Sequence, residues 1–405
     1  MNSGQTSSVS GGELACSANG DIGASLDRRA FMSLVVGGAL ISATGPAECA
    51  TNASGSIAEE WDNAIIVNAL GSLDDPDPAN NAHARSTLDD RVLREAHASG
   101  LTAVNITIGY VAGDEDPFER TIRDIGEWEA RIRAHPGDLL KVFTTADIHA
   151  AKRSGRIGVI YGFQNAAVIG RNVPRVDLFA NLGVRVIQLT YNPANEVGDG
   201  AMAPENRGLT PLGRELIARL NDRRIMVDLS HSGERTCLEA AQVSRLPISI
   251  NHTGCRALAD LPRNKTDDEL RAVATKGGFV GVYFMPFLSV SGRPSAEDVV
   301  SHIEHAINVC GEDHVGIGTD GPVTTIDDLP AYERWLAQEV ERRRTLGIGA
   351  TGEGPHTLPF VIDLRGTKQF HQLADRLRKR GHSSARVEKI LGRNFLSYAM
   401  EVWGA

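Results

Sequence analysis

The chain has 405 residues, 41% of them hydrophobic and 23% charged, with 42 Lys and Arg against 51 Asp and Glu for a formal charge of −9. This composition excludes a disordered polymer, a collagen-like chain and a small disulfide knot. An acidic balance without a basic stripe, and an aromatic content of only 5%, speaks against nucleic acid as a partner, because phosphates need clustered cations and bases need stacking rings.

Residues 1–27 are rich in Ser, Gly and Ala and show no hydrophobic period. Asp27-Arg28-Arg29-Ala30-Phe31-Met32 follows, and then an apolar stretch from Ser33 to about Thr44. Twin arginines ahead of a moderately hydrophobic segment predict a Tat-type export signal over residues 1–50 and a periplasmic mature protein. The apolar run is too short to span a bilayer, so no stable membrane insertion is expected once the signal is removed. Residues 51–60 read as a short linker. Cys16 and Cys49 lie in the signal region, leaving Cys237, Cys255 and Cys310. Three scattered cysteines form neither a disulfide framework nor a CxxC zinc site.

From residue 61 onward, β-branched runs alternate with segments of helical period. The runs are Ala64–Leu70, Leu101–Ile108, Ile157–Phe163, Val184–Thr190, Arg224–Ser230, Pro247–His252, Gly278–Phe284 and His314–Asp320. Near-continuous apolar strands suit a parallel sheet covered on both faces. Between them lie amphipathic stretches at Leu212–Asp222, Arg235–Val243, Thr266–Lys276 and Ala296–Cys310. Thr266 and Ser295 read as N-caps, and Gly277 and Gly311 as stops. Eight such alternations predict an α/β protein of the (β/α)8 TIM-barrel class, one domain over residues 61–405. An open doubly wound sheet is the alternative, but no GxGxxG follows the first strand. Residues 368–403 read as helices closing the barrel.

Chemistry in such barrels gathers at the C-terminal strand ends. Those ends carry Asn68, Gln164, Tyr191, His231, His252 and Asp320. Two imidazoles and a carboxylate are a plausible ligand set for a catalytic zinc with an open position. The other histidines sit in predicted helices or loops and are read as structural. Asp74, Asp75 and Asp77, and likewise Glu196 and Asp199, read as solvated acidic loops, with a relocated metal ligand as the alternative. Cys255 reads as a small buried residue.

The local words narrow the reading. Asp228-Leu229-Ser230-His231-Ser232, Asn251-His252-Thr253, Arg263-Asn264-Lys265-Thr266-Asp267 and Gly316-Ile317-Gly318-Thr319-Asp320 occur in this order, and Leu391-Gly392-Arg393-Asn394-Phe395 follows near the end. Together they resemble the membrane (renal) dipeptidase family of zinc metallopeptidases, strongly from about residue 180 and more weakly from 60 to 180. The resemblance implies an amidohydrolase-like barrel that cleaves dipeptides. It implies that His231 and His252 hold zinc, and that Asp320 is a ligand near the metal and the acid–base residue. Arg263 would clamp the substrate carboxylate, with Tyr191 and Asn264 beside it at the substrate. A guanidinium fork suits a planar anion.

Departures from the family pattern limit the expectation. The H-x-D pair that should follow the first strand is missing from Val67–Ser72, Gln164 stands near the place of the bridging glutamate, and Tyr191 replaces a histidine. One zinc ion is therefore expected rather than two, since a carboxylate bridge is what offsets the repulsion between two cations. The expected partner is a small peptide-like substrate, and a homodimer is allowed. The alternatives are a specialised one-metal or metal-free enzyme acting on a peptide-derived metabolite, and a non-catalytic dipeptide-binding relative.

Overall fold

The computed structural model describes residues 61, 63–81 and 88–404. The export signal, the 51–60 linker and His83 lie outside the described residues. Among the described residues nine parallel strands make one sheet: β1 Val67–Gly71, β2 Ala103–Thr107, β3 Leu139–Lys141, β4 Ile157–Phe163, β5 Val184–Gln188, β6 Met226–Asp228, β7 Ser249–Thr253, β8 Phe279–Val282 and β9 Val315–Ile317. Eight of them run in the order β1-β2-β4-β5-β6-β7-β8-β9. The two end strands meet where Asp320 N–H donates to the Leu70 carbonyl at 2.9 Å. Asn68 ties the seam further, donating to Thr319 Oγ1 and accepting from Thr319 N–H, both at 2.8 Å. The (β/α)8 barrel expected from the alternating runs is the observed fold.

All eight apolar runs became strands. The ninth, β3, was not expected, and it is only three residues long. It pairs with Ile157–Val159 at the start of β4, whereas β5 pairs with Tyr161–Phe163 further along. A strand this short is set by its long-range partner and leaves little local signal.

Helices cover the outside. The expected caps are in place: Thr266 and Ser295 each form a capping box, with Glu269 and Asp298 respectively. Gly311 and Gly277 take φ of 87° and 76° at the predicted stops. Outward strand residues such as Ile106, Val159, Ile187 and Val280 pack with the helices into one large apolar cluster. A second cluster joins strand residues near the N-terminal ends (Val67, Ala103, Met226, Phe279) to Phe395, Tyr398, Val402 and Trp403. The C-terminal helix Asn394–Trp403 thus closes the barrel mouth opposite the strand ends that carry the polar residues. Among the described residues no helix is long and apolar enough to cross a membrane.

Candidate active site

Four of the sequence-selected residues meet at the C-terminal mouth. Tyr191, His231, Arg263 and Asp320 line one cavity of about 250 Å³, and His252 lies directly beneath. His252 is part of β7, His231 follows β6, Asp320 follows β9, and Arg263 sits on the loop after β7. Parallel strands deliver their ends to the same face, which is why residues so distant in sequence converge.

The imidazole geometry is well defined. Asn192 donates through Nδ2 to the Ile348 carbonyl at 2.8 Å, so its Oδ1 faces His231. His231 Nδ1–H donates to that oxygen at 2.7 Å, leaving its Nε2 as a lone pair. His252 Nε2 stands 2.9 Å from this atom, while His252 Nδ1 is buried without a hydrogen-bond partner. Burial, reinforced by the Arg263 charge, pushes both imidazoles below their ordinary pKa and keeps them neutral. Tyr191 stacks on His231 with centroids 4.3 Å apart.

Asp320 completes the wall, its Oδ2 4.0 Å from His252 Nε2. Burial raises its carboxyl to about 6, against the lowering pull of Arg263 and Arg343. Its backbone takes φ 59°, a left-handed conformation that Asp and Asn tolerate better than most residues. Arg263 is 2% exposed, donates to the Ser230 carbonyl at 2.6 Å and reaches His231 Nε2 at 3.3 Å. Among the described residues no carboxylate forms an ion pair with it. A buried cation without a counter-ion is costly, and it stands ready for an anionic ligand.

Two partners escaped the sequence reading. Helix Leu329–Thr345 roofs the cavity, and its Arg343 donates to Tyr191 Oη at 3.2 Å while bonding Glu353 through two nitrogens at 2.7 and 2.9 Å. The helix was not among the expected segments, yet its start was legible from Asp328, which caps Ala331 N–H, and from Pro330 in the first turn. That Arg343 reaches a tyrosine 152 positions away was not. Asn264 is placed differently from the expectation. It is fully buried behind the cavity, donating to the Ala259 and Phe287 carbonyls at 2.7 and 2.8 Å, and so it positions the Arg263 loop rather than facing substrate.

The acidic loop after β1 also differs. Asp75 and Asp77 are buried and paired to Arg91 at 3.1 and 3.3 Å rather than solvated. Asp199 is likewise buried against Arg207, and Glu196 pairs with Arg171. None of these carboxylates lines the cavity. Cys255 is buried, as expected, beside His302.

Do these residues suit a metal? The two neutral imidazoles, their Nε2 atoms 2.9 Å apart, are the groups that would hold a single cation. In either tautomer of His252 its Nδ1 has no partner among the described residues, and with the proton on Nδ1 the two Nε2 lone pairs face each other, a repulsion that a shared cation would relieve. Asp320 is the nearest carboxylate, its Oδ2 4.0 Å from His252 Nε2, a spacing that two ligands of one ion can share. Among the described residues no three His, Cys, Asp or Glu side chains are spaced as a full ligand set. The H-x-D pair and the bridging glutamate of the family pattern are absent here. The end of β1 carries Leu70 and Ser72, and Gln164 after β4 donates to Thr107 Oγ1 at 2.6 Å.

The family model for membrane dipeptidase, peptidase family M19, matches residues 72–347. The chain belongs to the membrane dipeptidase family. An uncharacterised dipeptidase of Schizosaccharomyces pombe is 31% identical over 289 residues, covering 67% of this chain and 68% of that one. The crystal structure of an amidohydrolase from Pseudomonas aeruginosa is 31% identical with a TM-score of 0.72, covering 86% of this chain and 100% of that one. A metallopeptidase from Rhodobacter sphaeroides, solved with a phosphinate mimic of L-Ala-D-Ala, shares the fold at 21% identity and a TM-score of 0.66, covering 84% and 100%. Membership makes this membrane dipeptidase relative a dipeptidase-like hydrolase of a metal-dependent class.

Proposed function

We propose that the protein hydrolyses the amide bond of a dipeptide or modified dipeptide at a single zinc ion held by His231 and His252. The observation that carries this reading is the unpaired, buried Arg263 within 3.3 Å of the imidazole pair, with Asp320 on the same cavity. A small substrate with a free carboxylate neutralises the guanidinium by a bidentate contact. When bound, the ion supplies polarisation of the scissile carbonyl and a more acidic water.

The chain's own groups do the remaining work. Asp320, with a carboxyl near 6, accepts a proton from the attacking water at Oδ2 and returns it to the leaving amine. Burial keeps the Tyr191 phenol protonated, so it is a donor along the substrate wall, with its oxygen fixed by Arg343. The roof helix excludes bulk water from the carboxylate and the guanidinium.

The test is metal analysis and hydrolysis on mature protein purified without chelator. About one zinc per chain is expected, together with turnover on some member of a dipeptide panel that is abolished in Asp320→Asn. Two ions per chain would remove the one-ion reading. A loaded ion with no turnover across the panel would favour the dipeptide-binding alternative, which the ligands missing from Val67–Ser72 and at Gln164 already motivate.

We propose further that the protein acts in the periplasm after Tat-type export, a reading supported by Arg28-Arg29 and the apolar segment behind them. Replacing both arginines with lysine should leave the protein in the cytoplasm. Unchanged export of that variant would refute the assignment.

A further inference from the structure

A second cavity, of about 110 Å³, adjoins the first and shares Asp320, Tyr332 and Pro359 with it. Its other walls include Pro76, Phe284, Pro322, Ile326, Phe360 and Leu364. Pro76 follows β1, and Pro322 bridges to Ser72. The chamber therefore opens beside the β1–β9 seam, next to the strand end that lacks the second set of metal ligands.

Its polar wall groups are mostly engaged by the protein. Gln369 Nε2 donates to the Pro322 carbonyl at 3.4 Å, Thr319 Oγ1 to the Gly321 carbonyl at 3.1 Å, and the Arg365 guanidinium lies 5.1 Å from the Phe360 ring centroid. Two groups are exceptions: the Asp320 carboxylate at the edge shared with the first cavity, and Thr324 Oγ1, a buried hydroxyl without a partner among the described residues. A group entering here meets mainly carbon. Cavities of roughly 150 Å³ with apolar walls take up a benzene ring, so 110 Å³ suits a branched aliphatic side chain better than an aromatic one. A glycine or alanine substrate would leave the chamber largely empty.

We propose that the chamber is a specificity pocket, and that the substrate carries one branched aliphatic residue whose side chain fills it while the carboxylate of the same molecule reaches Arg263. This deepens the hydrolase reading and rests on it for the placement of the carboxylate. Three extra buried carbons separate leucine from alanine, and each buried methylene is worth enough to predict a preference of roughly 10- to 100-fold.

The experiment uses the whole mature protein with Gly-Leu, Leu-Gly, Gly-Ala and Ala-Gly. It reads kcat/KM on the native enzyme and Kd by calorimetry on Asp320→Asn, where cleavage does not interfere. A leucine-over-alanine ratio of roughly 10 or more in one of the two orders is expected. Ile326→Trp, which fills the chamber, should collapse that ratio. Phe360→Ala, which enlarges it, should shift the preference toward a phenylalanyl peptide.

The two readings fail separately. Cleavage of leucyl and alanyl peptides at equal kcat/KM overturns the pocket and leaves the hydrolase standing. Preferential binding of leucyl peptides without any cleavage leaves the pocket standing and removes the hydrolase. A leucine preference that survives Ile326→Trp, or no binding of any of the four peptides, overturns the pocket.

Discussion

His252 is fully buried in β7, with Nδ1 unpartnered and Nε2 facing His231. If the pair holds the ion, His252→Ala should lower zinc affinity by several orders of magnitude, because one imidazole and water retain a divalent ion poorly. A purely structural histidine would instead cost roughly 1–3 kcal/mol of stability with bound metal unchanged. Metal content and thermal midpoint measured on one sample separate the two. Asp320 gives a pH prediction with a definite sign. Its carboxyl is raised to about 6 by burial, so ionisation opposes folding. The stability associated with the protonated form is complete below the unfolded value of about 4 and is lost as pH rises through about 6. In chelator-treated protein, Asp320→Asn should therefore be more stable than wild type at pH 7.5 by roughly 1–3 kcal/mol, the partial exposure of the group trimming the figure. The gain should vanish near pH 4. Asn also tolerates φ 59°, so no backbone penalty masks the effect. Thermal unfolding across that range checks it, and an Asn variant no more stable at pH 7.5 would contradict the buried-carboxylate account.

The segment Arg263-Asn264-Lys265 works as one element. Arg263 holds the Ser230 carbonyl and Lys265 Nζ the Ser232 carbonyl, so two buried cations grip the backbone on either side of His231. Lys265 also pairs with buried Glu269 at 3.0 Å, and Glu269 completes the capping box with Thr266. Removing one member of a buried pair strands the other, at a cost of roughly 3–5 kcal/mol. Lys265→Met should lose about that much in denaturant unfolding. The double variant Lys265→Met/Glu269→Gln should recover a large part, since glutamine keeps the capping box and leaves no charge behind. A single variant within 1 kcal/mol of wild type would show that the clamp matters little. The capping boxes at Thr266 and Ser295 and the stops at Gly277 and Gly311 were legible in the sequence because each depends on residues within a few positions. The β3 strand and the roles of Asp75 and Asp77 were not, since the β4 edge and Arg91 that define them lie elsewhere in the chain.

At the scale of the whole molecule the barrel separates stability from chemistry. Its closed mouth is plugged by helix Asn394–Trp403, and its open mouth carries the site. Gly392, in the π-helical segment Lys389–Arg393 that runs into that helix, leaves no room for a side chain: a Cβ there would stand 2.3 Å from the Ile65 carbonyl oxygen. Gly392→Ala must push the closing segment off β1, and a loss of roughly 1–3 kcal/mol is expected. Zinc content and substrate preference should stay as in wild type, because the site lies at the other end of the barrel. A stable variant, or one with altered specificity, would contradict that separation. The sequence by itself determined the eight core strands, the main caps and the residues at the strand ends, since local period and turn chemistry act over a few residues. It also exposed the H-x-D pair missing from Val67–Ser72 and Gln164 near the place of the bridging glutamate. Only the tertiary structure decided which polar groups meet. It set Arg343 against Tyr191, turned Asn264 behind the cavity, tied Asp75 and Asp77 to Arg91 and left Arg263 without a counter-ion among the described residues. Those pairings depend on long-range packing, in which a buried charge takes whichever partner the fold brings within reach, and residue spacing along the chain carries no record of that distance.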